Sequence, residues 1–335
     1  MLPMLNILVT GGYGFIGSEF IRQCLDLEDC EILNVDSMTY ASNVYNLKDY
    51  EDLKNYNFLQ LNICETKLIS KAINDFKPDW IINFAAESHV DNSISNPDSF
   101  IETNILGVAS LLTASNEYFQ NIKKEKNFRF LHISTDEVFG DLSIDSPAAS
   151  ENSVYKPSSP YSASKASSDH LVQAWARTYG LPTLLTNCSN NFGPNQNKEK
   201  LIPKIIHNAL NGREIPIYDE GLNVRDWIYV SDHVDCLIKI LKYSEPYERY
   251  NIGANNQLSN LEILDIIISI LEEKTAKKNL KNLVKFVDDR PGHDFRYAID
   301  STKVQLKFDW SPSQDIQESF SETVNWYLNN EKFYE

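Results

Sequence analysis

The chain has 335 residues, with 31 Lys and Arg against 47 Asp and Glu, a formal charge of −16. That balance is a poor match for a nucleic-acid backbone, which is bound through clustered Lys and Arg. The length points to two domains or one enlarged α/β domain, and five cysteines without a CxxC pair are expected to be reduced interior thiols of a cytoplasmic protein.

The opening MLPMLNILVTGG has no basic leader before its first glycine turn, so no signal peptide is expected, and no later apolar run has the length of a membrane span. NILVT (6–10) reads as a strand, GGYGFIG leads into the helical spacing of SEFIRQCL, and EILNVD (31–36) is a second strand. FLQLNI then precedes the amphipathic KLISKAINDF, PDWIINFAA is another strand, NILGVASLLTASNEYF (104–119) reads as one long helix, and FRFLHIST returns to the sheet. Strands rich in Val, Ile and Phe alternating with helical crossovers predict an α/β fold with a Rossmann-type parallel sheet covered on both faces.

A helix ending at Gly180 and the strand PTLLTNCSN continue the alternation, which breaks down at NFGPNQ. Helices in IPKIIHNALNG, DHVDCLIKILKYS and LSNLEILDIIISILEE follow, with short strands in IPIYDEGLNVRDWIYV, YNIG and LVKFVDD and an amphipathic helix at the end. The expected division is a cofactor domain over 1–190 and a smaller mixed substrate domain over 191–335, with 226–252 returning to the first.

Gly11, Gly14 and Gly17 lie between the first strand and helix, with Phe15 and Ile16 among them, so backbone donors and the positive helix end face a pyrophosphate site. Asp36, ending the next strand, suits ribose hydroxyls and repels an added phosphate, which favours NAD over NADP. Asn62 and Ile63 are candidates for an adenine edge, and Ala85 and Ala86 for close approach of a cofactor, although such residues also occur as plain core. Tyr161 and Lys165 in YSASK are four apart at a helix start and share a face. A lysine and a nicotinamide cation nearby would favour the phenolate over its free pKa of about 10.

TGGYGFIGS, Asp36 with TYASN, NFAAESHVDNS, STDEVFG, PYSASKASSD, TNCSNNFGPNQ, VRDWIYVSDH and RPGHDFRYA together span nearly the whole chain. In them it resembles the extended short-chain dehydrogenase/reductase family and, within it, the nucleotide-sugar 4,6-dehydratases. The resemblance implies a tightly bound NAD regenerated in each turnover, with Tyr161 as the base at the sugar 4-hydroxyl, Thr135 aligning it and Lys165 sustaining the phenolate. It further implies Glu137 as the base at carbon 5 and Asp136 as the acid expelling the 6-hydroxyl. Adjacent carboxyls suit that division, because like-charge proximity and burial raise one pKa while the other group stays ionised.

By the same resemblance Glu87 and Ser88 face sugar or cofactor, and Asn190, Lys200, Arg225, Arg290, His293 and Tyr297 hold the nucleotide diphosphate. Ion pairs of Arg225 with Asp226, and of Arg290 with Asp288 or Asp289, are the alternatives. dTDP-glucose is the first substrate implied, UDP-glucose or UDP-N-acetylglucosamine the alternative, with 5-epimerisation a further option. Homodimerisation through helices near 103–119 and 161–179 is expected; so is the absence of a metal, since the six histidines form no ligand pattern. Tyr13, Asn62, Asn92, Phe139 and Asp219 depart from the family pattern, the last in YDEG, where glycine is usual. A related epimerase or decarboxylase would lack the elimination role of the acid pair, and a non-catalytic binder would not need Thr135, Tyr161 and Lys165 together.

Overall fold

A computed structural model describes residues 4–27, 29–122, 127–313 and 315–330. Its strands are β1 Leu5–Thr10, β2 Cys30–Asp36, β3 Tyr56–Gln60, β4 Trp80–Asn83, β5 Arg129–Thr135, β6 Thr183–Cys188, β7 Asn190–Phe192, β8 Ile215–Tyr218, β9 Val224–Tyr229, β10 Arg249–Ile252, β11 Gln257–Ser259 and β12 Val284–Val287. Its α-helices are α1 Phe15–Leu27, α2 Thr66–Phe76, α3 Val90–Ser95, α4 Pro97–Phe100, α5 Val108–Asn121, α6 Pro160–Tyr179, α7 Leu201–Leu210, α8 Val230–Tyr243, α9 Asn260–Lys274, α10 Thr302–Phe308 and α11 Ile316–Asn329.

Seven parallel strands form the main sheet in the order β10-β6-β5-β4-β1-β2-β3. Alternation along β1 explains why both faces are covered: Ile7 and Val9 enter one core with α1, α8 and α10, while Leu8 enters the other with α2 and α5. The long helix α6 is held at its ends by Ser159, which forms a reciprocal capping box with Ser162, by Pro160 in its first turn and by Gly180 in left-handed conformation. A third core unites α7, α9 and α11 beneath the small sheets β11-β9-β7 and β12-β8.

β10 joins the main sheet, and α8 packs in its core, while β9 stays in the small sheet. Val304 and Trp310, around α10, also pack in the main core, so the chain crosses back once more than expected. The single helix expected over 104–119 is instead a π-helical turn, Ile101–Gly107, followed by α5. FLQLNI ends its strand at Gln60, leaving Asn62 and Ile63 in the loop beyond. Among the described residues no helix is long and apolar enough to cross a membrane.

Candidate active site

The carboxyl ends of β1, β2, β4, β5 and β6 open onto one continuous cleft, the usual ligand position in an open parallel sheet. Gly11 sits at φ +71°, and a Cβ there would lie 2.6 Å from the Ala85 nitrogen. A Cβ on Gly17 would lie 2.4 Å from the Gly11 carbonyl oxygen, so the strand-to-helix turn closes only without side chains. Gly11, Gly14, Asp36, Asn62, Ile63, Ala85, Ala86 and Glu87 line one end of the cleft, while Gly14, Phe15, Ile16 and Gly17 continue towards Thr135, Tyr161 and Lys165.

Asp36 is buried and oriented by three donors: Ser42 Oγ and the Met38 amide on Oδ1, at 2.7 and 2.9 Å, and the Tyr13 amide on Oδ2 at 3.0 Å. A carboxylate accepts about four hydrogen bonds, so capacity remains for a diol. Tyr13 does not cover the cleft: its ring is buried against Phe58, centroids 4.9 Å apart. The Asn62 side chain turns back to accept from the Cys64 amide at 2.9 Å. The small turn, the oriented carboxylate and the narrow alanine wall fit a dinucleotide.

β5 ends at Thr135, which caps the following turn: its Oγ1 accepts from the Glu137 amide and donates to Asp136 Oδ1, both at 3.3 Å. Asp136 is buried, its Oδ2 has no hydrogen-bond partner among the described groups, and burial, then Glu137 and Asp226, push its pKa well up. Burial raises Glu137 too, against the opposing charges of Arg290, Arg225 and Lys200. Burial therefore raises both carboxyls, with like charges adding to this at Asp136 and cations opposing it at Glu137.

Tyr161 and Lys165 line the same cleft from α6. Burial and then Glu137 push the Tyr161 phenol well up, while the hydrogen bond with Thr135 acts in the opposite direction. The Lys165 ammonium donates to the Ile133 carbonyl at 2.8 Å. Ser88, Asn190 and Lys200 also line the cleft, Lys200 donating to the Ser88 carbonyl at 2.9 Å. Glu87 accepts from the Tyr40 hydroxyl at 3.2 Å.

The remaining four candidates, Arg225, Arg290, His293 and Tyr297, are not among the residues that line the cleft. Neither suggested arginine ion pair forms. Arg225 and Asp226 are successive strand residues and point to opposite faces; Arg225 donates to the carbonyls of Val224, Asp294 and Phe295 and stacks 4.3 Å from the Tyr297 ring centre. Arg290 pairs with Asp91 at 3.0 Å, and only its backbone amide meets Asp289. His293 lies 2.6 Å from Asp289 with its pKa lowered by burial and Arg290, and the Tyr297 hydroxyl donates to Asp294 at 2.7 Å.

The family described as GDP-mannose 4,6 dehydratase matches residues 8–323. The dTDP-glucose 4,6-dehydratase of Escherichia coli is 46% identical, covering 99% of this chain and 96% of its own length. That of Haemophilus influenzae is 46% identical over 98% of this chain and 99% of itself. The chain belongs to the dTDP-glucose 4,6-dehydratase family. The solved dTDP-glucose 4,6-dehydratase DesIV of Streptomyces venezuelae, with NAD and TYD bound, superposes with a TM-score of 0.91 at 38% identity, covering 99% of each chain. UDP-glucose 4-epimerase of Thermotoga maritima, with UDP-glucose, has a TM-score of 0.85 at 25% identity, covering 97% of this chain and 99% of its own. Fold alone therefore does not separate dehydratases from epimerases.

Motif reading missed Asn104. It lies in the π-helical turn, accepts from the Glu87 amide at 2.9 Å, and donates to the Glu87 carbonyl and Ser164 at 3.0 and 2.8 Å. Nothing in NILG signals that clamp, since π-turns have no strong sequence mark although they recur at functional sites.

Proposed function

We propose that this chain is an NAD-dependent hydro-lyase that converts dTDP-glucose into its 4-keto-6-deoxy product and water. The observation that carries the reaction type is the adjacent acid pair Asp136 and Glu137 lining the same cleft as Tyr161 and Lys165. The choice of dTDP-glucose rests on what the similar proteins are named for.

When bound, NAD supplies the acceptor, and later the donor, of the hydride that the reaction requires. Gly11, Gly14, Phe15, Ile16, Gly17, Asp36, Asn62, Ile63, Ala85 and Ala86, with Tyr161 and Lys165, would hold it. Tyr161 takes the proton of the sugar 4-hydroxyl, which Thr135 orients, and Lys165 sets the positive field beside the phenolate. A ketone at carbon 4 acidifies the hydrogen on carbon 5; Glu137 removes it, and Asp136 protonates the departing 6-hydroxyl. Both carboxyls titrate as one coupled unit, so activity should be bell-shaped in pH, lost at low pH as the base protonates and at high pH as the acid ionises.

In this reading Arg225, Arg290 and Lys200 face the diphosphate with Asn190, His293 and Tyr297 around it, and Glu87 and Ser88 border the sugar. Dimerisation is part of the proposal. Ile94, Ile101 and Leu106, on and after α3, are 38%, 48% and 59% exposed and offer an apolar contact surface beside α5 and α6; light scattering at working concentration should give twice the chain mass. We place the enzyme in the cytoplasm, which holds NAD and nucleotide sugars; cell fractionation tests this.

The deciding experiment offers dTDP-glucose, UDP-glucose and UDP-N-acetylglucosamine in parallel and reads products by mass and proton NMR. Loss of one water with preference for dTDP-glucose and retained carbon 5 configuration is expected. Inversion at carbon 4 without loss of mass would overturn the dehydratase reading.

A further inference from the structure

Behind Tyr161 and Lys165 lies a buried polar cluster to which the roles above assign nothing. At its centre is Asp169, one helical turn beyond Lys165 on α6 and 0% exposed. Asp169 Oδ2 accepts from the Tyr155 hydroxyl at 2.6 Å and from Asn187 Nδ2 at 3.1 Å. Its Oδ1 has no hydrogen-bond partner among the described groups and lies 3.7 Å from His132 Nε2.

The His132 tautomer follows from its neighbours. Asn83 Oδ1 accepts from Thr10 at 2.6 Å, so Asn83 Nδ2 donates to His132 Nδ1 at 3.0 Å and the ring proton sits on Nε2, towards Ser168 and Asp169. That ring is neutral, since burial and then Lys165 push its pKa well down. Lys165 is buried as deeply, seated on the Ile133 carbonyl. Burial opposes charge on both members of the pair; Asp169 is the first influence restoring charge to Lys165, and Lys165 the first restoring it to Asp169. The same Asn187 amide that donates to Asp169 also donates to the Thr135 carbonyl at 3.0 Å.

We propose that Asp169 is a positioning residue for Lys165: no salt bridge joins them, and Asp169 acts across one turn of α6 as the buried counter-anion of an ammonium seated on the Ile133 carbonyl, while Asn187 ties Asp169 to the carbonyl of Thr135 two residues along the same strand. A surface pair at this spacing would contribute little, but between two fully buried side chains one turn apart the attraction acts through a much lower dielectric. Asp169 touches no reacting atom and acts through Lys165. The inference rests on the reading of Tyr161 and Lys165 as the oxidation pair.

The groups facing Asp169 are Lys165 on α6, His132 and Ser134 on β5, Asn187 on β6 and Tyr155, with Arg249 of β10 reached through Asn187; Lys165 also faces His132 and, from β6, Cys188, whose thiol burial pushes up to about 12. His132 is held neutral and Tyr155 is pushed above its ordinary value, first by burial and then by Asp169. Lys165 is therefore the group whose alkaline titration Asp169→Asn should move. Without the anion the ammonium deprotonates at lower pH. The alkaline limb of sugar oxidation, followed in the NAD-loaded enzyme by absorbance of the reduced nicotinamide in single turnovers with dTDP-glucose, should shift down by about one unit or more. The rate at neutral pH should fall about tenfold or more with KM unchanged.

In a Lys165→Met background the same substitution should add no further loss. An alkaline limb that does not move, or losses that multiply in the double variant, would overturn the proposal. If Asp169→Asn alone does not fold, the Lys165→Met/Asp169→Asn chain should regain its melting temperature, because no buried ammonium is left unpaired; no recovery would equally overturn it. The melting comparison uses no substrate, so failure of the dehydratase reading is told apart by a wild-type enzyme that dehydrates none of the three sugars while the coupling persists.

Discussion

On the sheet side of the cleft the lining groups come from contiguous turns and present backbone and small residues, Gly11 to Gly17, Ala85 and Ala86. On the lobe side the candidate groups are long charged side chains from segments far apart in sequence, and each already has a protein partner: Arg225 on three carbonyls, Arg290 on Asp91, Lys200 on Ser88. The first side is preorganised by steric necessity and tolerates no added atom. The second is preorganised by hydrogen bonds that a ligand must share or replace, so its members should differ in how much each matters.

The largest effect should come where the two sides meet. Glu137→Gln should leave NAD retention intact yet suppress solvent deuterium incorporation at carbon 5 and slow dehydration by about 10²–10⁴-fold. Rapid incorporation in a folded variant would remove Glu137 from its role. Asp136→Asn should slow dehydration while carbon 4 oxidation persists; equal losses in both half reactions would count against a specific acid.

Gly17→Ala tests the steric side. The new Cβ would stand 2.4 Å from a backbone oxygen, which cannot rotate away as a side chain can. A loss of about 1–3 kcal/mol in stability with NAD lost on gel filtration is expected. Full NAD occupancy at unchanged melting temperature would show that the turn has slack.

On the lobe side Arg225→Ala should exceed Arg290→Ala. Arg225 is 5% exposed, stacked on Tyr297, and its removal strands buried carbonyls, so substrate KM should rise about 100-fold, near 2.7 kcal/mol. The Arg290 side chain is 21% exposed, and Asp91 keeps the Tyr218 hydroxyl at 2.9 Å, so a rise of about tenfold is expected. The reverse order would mean that the diphosphate lies nearer the Asp91 end.

The same contrast explains what was legible in the sequence. Parallel alternation and the glycine turn depend on local spacing, so the parallel sheet, the turn before α1 and Asp36 follow from short windows. Whether Arg225 meets Asp226 or a carbonyl depends on strand pleat and on the loop at 294–295, which no window contains. The π-turn carrying Asn104 and the convergence of Tyr155, His132 and Asn187 on Asp169 are tertiary outcomes with no local pattern. Family resemblance reached the candidate residues of the lobe, but not the partners that hold them.

The smallest effect is expected at YDEG, where Asp219 stands in place of the glycine usual in the family pattern. Asp219 adopts φ +47°, the left-handed backbone that glycine enters freely and that Asp and Asn tolerate better than other residues. Its amide donates to the Val287 carbonyl at 2.9 Å, which fixes the turn between β8 and β9, and its side chain is exposed together with that of Glu220. A carboxylate in that position keeps its hydration and adds only a screened repulsion to a bound diphosphate. Asp219→Gly relieves the backbone but gains freedom in the unfolded chain, so stability should change by less than about 1 kcal/mol. The KM for dTDP-glucose should stay within about twofold, a difference of roughly 0.4 kcal/mol. A fall of tenfold or more, strongest at low salt, would show that the acidic turn reaches the diphosphate and would move Asp219 from the surface into the set of residues that choose the nucleotide.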